Sequence, residues 1–178
     1  MSIKTYYCRD TCCKVLIQKY LPENTHKKTH SNYRKAGVFI YDPKEDSVLL
    51  VQSRGHLWGP PKGTLKIGEQ NRHCAIREVK EETGLTISSE NFSKALKIGN
   101  RAIYYYLEMD KGPIEIQDIQ GNDANGITWI KVQCLENAIF DGNIVLNHYA
   151  KIVFSKFLKK KFKRSDWIVV RKKSSKRC

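Results

Sequence analysis

A chain of 178 residues, 40% hydrophobic and 10% aromatic, can bury one core but hardly two, which excludes collagen-like, disulfide-framework and wholly disordered classes. No apolar run approaches the roughly 18 residues of a membrane helix, and Met1 to Cys8 lacks the apolar region of a signal peptide. The expectation is a soluble, cytoplasmic protein whose six cysteines are thiols or metal ligands rather than disulfides. The net charge of +14 divides unevenly: residues 1–35 carry +6, residues 36–150 carry −3 and residues 151–178 carry +11. An acidic centre between basic flanks suits a polyanion held at its edges and a cation held in the middle. The same division predicts a basic Cys/His-containing extension over 1–35, a central domain over 36–150 and a basic helix and tail over 151–178.

In chain order, residues 1–35 show little periodicity. Val38 to Tyr41 and Val48 to Gln52 flank an Asp42-Pro43 turn and read as a hairpin. Gly55 to Gly68 holds four of the 11 glycines and two of the five prolines, the composition of a shaped loop. Gln70 to Thr83 reads as a helix closed by Gly84 in a left-handed cap. Strands are expected at Arg101 to Glu108, Ile114 to Asp118 and Ile127 to Val132. A second helix is expected from Asn143 to about Lys163, with Val145, Tyr149, Ile152 and Val153 on one stripe.

On the first helix, at 100° per residue, Glu81 and Glu82 fall within about 60° of Glu78, beside an apolar face that carries Ala75, Ile76 and Val79. Like charges at this spacing repel, so a cation partner is the natural compensation. Glu69, at the loop-to-helix junction, offers a fourth carboxylate. Oxygen-only ligands favour the hard ions Mg²⁺ or Mn²⁺ over zinc.

Gly63, Glu69, Arg77-Glu78-Val79, Glu81-Glu82 and Gly84-Leu85 stand at the offsets of a known signature. This pattern resembles the Nudix box with every defined position filled, a coincidence on the order of one in a billion per starting position at average residue frequencies. The resemblance implies an α/β fold, an α/β/α sandwich with a mixed sheet, in which the box forms a loop-helix-loop. It also implies a metal-dependent hydrolase that splits a nucleoside diphosphate linked to another moiety. Glu78, Glu81, Glu82 and Glu69 would hold the metal, Gly63 would let backbone groups approach it, and Arg77 would orient the glutamates.

The segment Trp58-Gly59-Pro60-Pro61-Lys62-Gly63 and its surroundings, from about Ala36 to Val132, further resemble the catalytic domain of mRNA-decapping Nudix enzymes, including viral ones. That likeness implies capped RNA as substrate, contacted by Arg54, Trp58 and Lys62; the alternative for Lys62 is a solvated loop lysine. It also implies a general base six residues before the Trp of an Ile-x-Trp strand. Ile127-Thr128-Trp129 fits, and Asp123 stands where such enzymes usually carry Glu; the alternative for Asp123 is a turn aspartate. Tyr104, Tyr105, Tyr106, Trp58 and Trp129 are the aromatics available to stack on a cationic base, although alternating strand tyrosines are more often core than ligand sites. The 35 upstream residues are too few for the helical regulatory domain usual in cellular decapping enzymes, whereas viral ones manage with other additions. A diphosphoinositol polyphosphate or dinucleoside polyphosphate substrate is the alternative.

Two flanking features stand apart from the box. Cys8, Cys13, His26 and His30 have zinc-finger spacing, with Cys12 as an alternative ligand, against a reading as scattered thiols and solvated histidines. Lys159, Lys160, Lys161 and Lys163, interleaved with Phe157 and Phe162, suit RNA contact. The alternatives for that run are a solvated helix face or a membrane surface.

Overall fold

The computed structural model describes residues 3–18, 34–53, 56–119 and 122–158. In chain order the strands and helices are β1 (Ile3–Tyr7), β2 (Lys14–Gln18), β3 (Lys35–Asp42), β4 (Ser47–Ser53), β5 (Leu57–Gly59), β6 (Lys62–Thr64), α1 (Asn71–Thr83), β7 (Lys94–Ile98), β8 (Ala102–Glu108), β9 (Ala124–Lys131), α2 (Val132–Phe140), β10 (Val145–Leu146) and α3 (His148–Phe157). The main sheet runs β1-β2-β9-β4-β3-β8-β7. Its β3 and β8 neighbours are parallel and the other neighbouring pairs are antiparallel.

Period-two alternation sends successive side chains to opposite faces of this sheet. Val38, Ile40, Leu49 and Val51 meet Cys74, Ala75 and Val79 of α1 on one face. Phe39, Val48 and Leu50 meet Leu135 of α2 and Ala150, Val153 and Phe154 of α3 on the other. The result is the expected α/β/α sandwich with a mixed sheet. Because both faces are covered, β3, β4 and β8 are apolar at nearly every position instead of alternating with polar residues.

Several sequence expectations change. The first half of residues 1–35 forms the β1–β2 hairpin, and β2 pairs with β9, so the sheet reaches into the stretch read as irregular. Every residue of β1 is exposed, which is why no hydrophobic period marks it. The glycine-rich loop contains the short strands β5 and β6. Ile114 to Asp118 forms no strand: Ile114 and Ile116 pack inward with the alternation of one, while Glu115 N–H donates to Thr83 O across the end of α1. The Lys94–Ile98 strand and α2 were not anticipated.

The second helix starts at His148, five residues later than its periodicity suggested. Val145 and Leu146 pair in parallel with Leu57 and Trp58, and the Asn147 side chain accepts the Ala150 N–H at 2.8 Å as an N-cap. Its buried stripe is Ala150, Val153 and Phe154, not one that includes the exposed Val145. Helix α1 ends as expected, with Gly84 at φ 78° and its N–H on Lys80 O. Among the described residues no helix is long and apolar enough to cross a membrane.

Asn147→Ala removes the cap of α3 and is expected to lower the unfolding free energy by about 1 kcal/mol in urea denaturation. An unchanged midpoint would show that the cap does not fix the start of this helix.

Candidate active site

The site is built on a hairpin that splits. Strands β3 and β4 pair with each other only at Tyr41–Val48 and Asp42–Ser47. Beyond that, the edge of β3 is taken by β6, with Gly37 opposite Lys62 and Ala36 opposite Gly63. The edge of β4 is taken by β5. The loop between the two short strands therefore wedges the hairpin open and presents Lys62, Gly63 and Thr64 beside α1.

Gly63 is the point of closest approach. A Cβ there would lie 1.9 Å from the Glu78 carboxyl carbon, so only a glycine lets that carboxylate rest against the loop. Above it, Arg77 organises the acids. Its Nε and Nη2 donate to the two Glu69 oxygens at 2.8 and 2.9 Å, in the bidentate geometry that favours arginine. Its Nη1 donates to Glu78 at 2.7 Å and Glu81 at 2.8 Å, and Nη2 reaches Thr64 O at 3.2 Å.

Glu82 stands outside that network. It is 3% exposed and accepts the Lys62 backbone N–H at 2.9 Å. Burial pushes its carboxyl up to about 8, with the Lys62 charge and amide opposing and Asp123 and Glu78 adding to the rise. Burial also raises Glu78, against the pull of Arg77. A buried carboxyl, Glu82, and a half-buried one, Glu78, both with raised proton affinity, stand beside a partly exposed third, Glu81, and form an all-oxygen donor set that a hard divalent cation fits.

These groups open onto one cleft of about 590 Å³ lined by Lys35, Lys62, Gly63, Glu78, Glu81, Glu82, Asp123, His148 and Tyr149 among others. Asp123 is carried there by its neighbour Asn122, whose Nδ2 donates to Glu81 O and Gln117 O and whose Oδ1 accepts the Ala124 N–H. Acids and lysines facing one another across such a cleft can hold a cation and a polyphosphate together.

Comparison with known proteins decides what this arrangement is. The NUDIX domain matches residues 32–147. The chain belongs to the Nudix hydrolase family. It is 30% identical over 147 residues to hydrolase 111R of Invertebrate iridescent virus 3, covering 80% of this chain and 83% of that one. It is 31% identical over 118 residues to the m7GpppN-mRNA hydrolase dcap-2 of Caenorhabditis elegans, covering 62% of this chain but only 14% of the worm protein. It is 34% identical over 110 residues to the asymmetrical bis(5'-nucleosyl)-tetraphosphatase of Mus musculus, covering 51% of this chain and 75% of that one. The NUDIX domain of Shewanella oneidensis NrtR shares the fold at a TM-score of 0.56 and 16% identity, over 77% of this chain and 94% of that one.

Against this Nudix frame, the structure brings together Gly63, Glu78, Glu81, Glu82, Lys62 and Asp123 as the sequence suggested. Glu69 is turned away: both its oxygens are taken by Arg77, one of them also by the Lys66 N–H, and it borders a different hollow. Trp58 is 1% exposed in the core under α3 and offers no face to a base. Trp129 is buried with its indole N–H on Gly112 O. Tyr104, Tyr105 and Tyr106 are buried in β8, with Tyr105 stacked on Phe92 and Tyr106 on Phe39. Among the described residues the aromatic side chains at the cleft are His148 and Tyr149, which the sequence reading used only as helix residues. Their signal was the Asn147 cap, which turns the first residues of α3 toward the loop. Arg54, His26, His30, Lys159, Lys160, Lys161 and Lys163 lie outside the described residues.

Two outcomes follow from this geometry. Gly63→Ala is expected to keep the fold within about 1 kcal/mol of the parent, because a flexible carboxylate is what must move. Turnover of a pyrophosphate-linked nucleotide should nevertheless fall at least about a hundredfold; parent-like turnover would show that the Glu78 position is not needed. The hydrogen bonds from Arg77 hold the Glu69 carboxyl down at about 2, against the ordinary 4.5. A depressed folded-state value contributes stability that is present above 4.5 and lost as pH falls through about 2. Glu69→Gln should therefore be about 2 kcal/mol less stable than the parent at neutral pH. Urea unfolding across pH should show the difference closing over that acidic window, and a gap that widens on acidification would contradict the pairing.

Proposed function

We propose that this Nudix hydrolase removes the 5′ cap of mRNA, releasing 7-methylguanosine diphosphate and RNA with a 5′-monophosphate. The observation that carries the reading is the cleft itself, where the glutamates and Lys62 meet an aromatic pair from α3. His148 and Tyr149 at its start line the acidic cleft. The sequence that follows this helix is strongly basic, with Lys159, Lys160, Lys161 and Lys163. A capped RNA, with a polyphosphate for the glutamates and Lys62 and a long phosphate chain for a basic segment, uses both features. A likeness to a decapping hydrolase over 62% of this chain supports the same choice.

In this reading Glu78, Glu81 and Glu82 hold Mg²⁺ or Mn²⁺, with the Gly63 backbone alongside. When bound, the metal neutralises charge on the phosphoryl oxygens and lowers the pKa of water. Glu69 acts as a positioning residue through Arg77. The Lys62 ammonium faces the phosphate bridge. Asp123 takes the proton of the attacking water, one phosphoanhydride bond breaks, and one water is consumed. The imidazole of His148 and the phenol ring of Tyr149, with centroids 5.9 Å apart, offer aromatic surface to the cationic base.

Hydrolysis of a dinucleoside polyphosphate is the second reading, favoured by the 34% identity to a bis(5'-nucleosyl)-tetraphosphatase. Labelled capped RNA, free cap dinucleotide, a dinucleoside tetraphosphate and an inositol pyrophosphate, compared as substrates, separate the two. Capped long RNA should be preferred; turnover of small molecules alone would overturn decapping. Glu82→Gln should lower turnover at least about a hundredfold at saturating Mg²⁺ with the fold intact. Neutralising Lys159, Lys160, Lys161 and Lys163 together should weaken RNA binding and flatten its log-log salt slope by about 0.7 for each lost contact, leaving cap dinucleotide hydrolysis unchanged. Parent-like RNA binding at every salt concentration would remove the tail from the substrate path.

A further inference from the structure

Four of the six cysteines meet on the far side of the sheet from α1. Cys8, Cys12 and Cys13 lie in the turn between β1 and β2, and Cys134 lies in the first turn of α2. Their sulfurs are all within 4.8 Å of one another. Cys12 Sγ is 3.5 Å from Cys8, 3.6 Å from Cys13 and 3.5 Å from Cys134. Four thiolates around a zinc ion at about 2.3 Å stand about 3.8 Å apart, whereas a disulfide needs about 2.05 Å. The group has the dimensions of a tetrahedral metal site and holds no histidine or carboxylate.

The backbone is already shaped for it. Thr11 adopts φ 56°, its N–H donates to Cys8 O, and the Cys8 N–H donates to Cys13 O, so the turn curls three sulfurs inward. The Cys13 N–H donates to Cys8 Sγ at 3.2 Å and the Lys131 N–H to Cys13 Sγ at 3.3 Å. Amides aimed at sulfur stabilise the thiolate and fix its direction, which is how metal-bound cysteines are supported. An ion pair between Arg9 and Asp141 straps the same turn to the end of α2.

We propose that Cys8, Cys12, Cys13 and Cys134 form a closed structural zinc site that fastens the N-terminal hairpin to α2. Soft thiolates select zinc over the hard ions suited to the glutamate cleft, and four protein ligands leave no open position for a reacting group. The hairpin has need of it: β1 is exposed throughout and, among the described residues, pairs only with β2, so little burial holds it. The ligand set replaces the Cys8, Cys13, His26, His30 pattern suggested by spacing alone, and it is independent of the choice of substrate.

Elemental analysis of the full chain, purified under reducing conditions without chelator, should find about one zinc per chain. A mercurial titration should release it in step with about four thiols. Cobalt in place of zinc should give the visible spectrum of a tetrahedral tetrathiolate complex. Zinc should be lost in Cys134→Ser and Cys12→Ser, retained in a His26→Asn, His30→Asn double variant, and retained in Glu82→Gln. The cobalt spectrum and thiol count use the parent protein, so they stand even where a cysteine variant fails to fold. Metal-free parent protein that takes up neither zinc nor cobalt would overturn the site. So would stoichiometric iron in place of zinc, or zinc lost with the two histidines but kept in Cys134→Ser.

Discussion

One guanidinium holds the acidic face of α1 in order. Glu78, Glu81 and Glu82 crowd one side of a helix, where like charges repel, and Glu69 arrives from the loop before it. Arg77 bonds Glu69 through a two-pronged contact, Glu78 and Glu81 through a shared nitrogen, and the loop through Thr64 O. Lysine, a single point charge, could not make those contacts at once. Within the box Glu69 has both oxygens on Arg77, while Glu78, Glu81 and Glu82 line the cleft with Asp123 and Lys62.

The cleft exists because the central hairpin does not stay paired. Had β3 and β4 continued their ladder past Tyr41 and Val48, β5 and β6 would have had no edges to occupy, and Gly63 would not lie under Glu78. The open end of the hairpin is reinforced from the opposite face, where β10 pairs with β5 and the Asn147 N–H donates to Trp58 O. The contacts that seat the glycine-rich loop thus also set where α3 begins, and they bring His148 and Tyr149 to the rim.

The parts of this account that were legible in the sequence are those governed by local period. The 3.6-residue spacing of the glutamates, Arg77 among them, and Gly84 as a left-handed cap required no tertiary information, and together they spelled the Nudix box. Three features depended on contacts that spacing does not encode. The tyrosines of β8 stood open between core and ligand site because a strand pattern does not say that both its faces are covered. Trp58, set in a loop of glycine and proline, is swallowed by the core beneath α3. The cysteine cluster was half visible, since Cys134 lies 122 residues from Cys12 and only the β2–β9 pairing and the start of α2 bring them together.

The central proposal is that Arg77 places Glu78 and Glu81 to hold a metal ion beside the separately seated Glu82. The most direct measurement is a Mn²⁺ titration followed by electron paramagnetic resonance on the parent and on Arg77→Lys, with helix content checked by circular dichroism. The account predicts at least a tenfold weaker Mn²⁺ affinity in the variant, about 1.4 kcal/mol, with the helices intact. Equal affinity in the two proteins would contradict it.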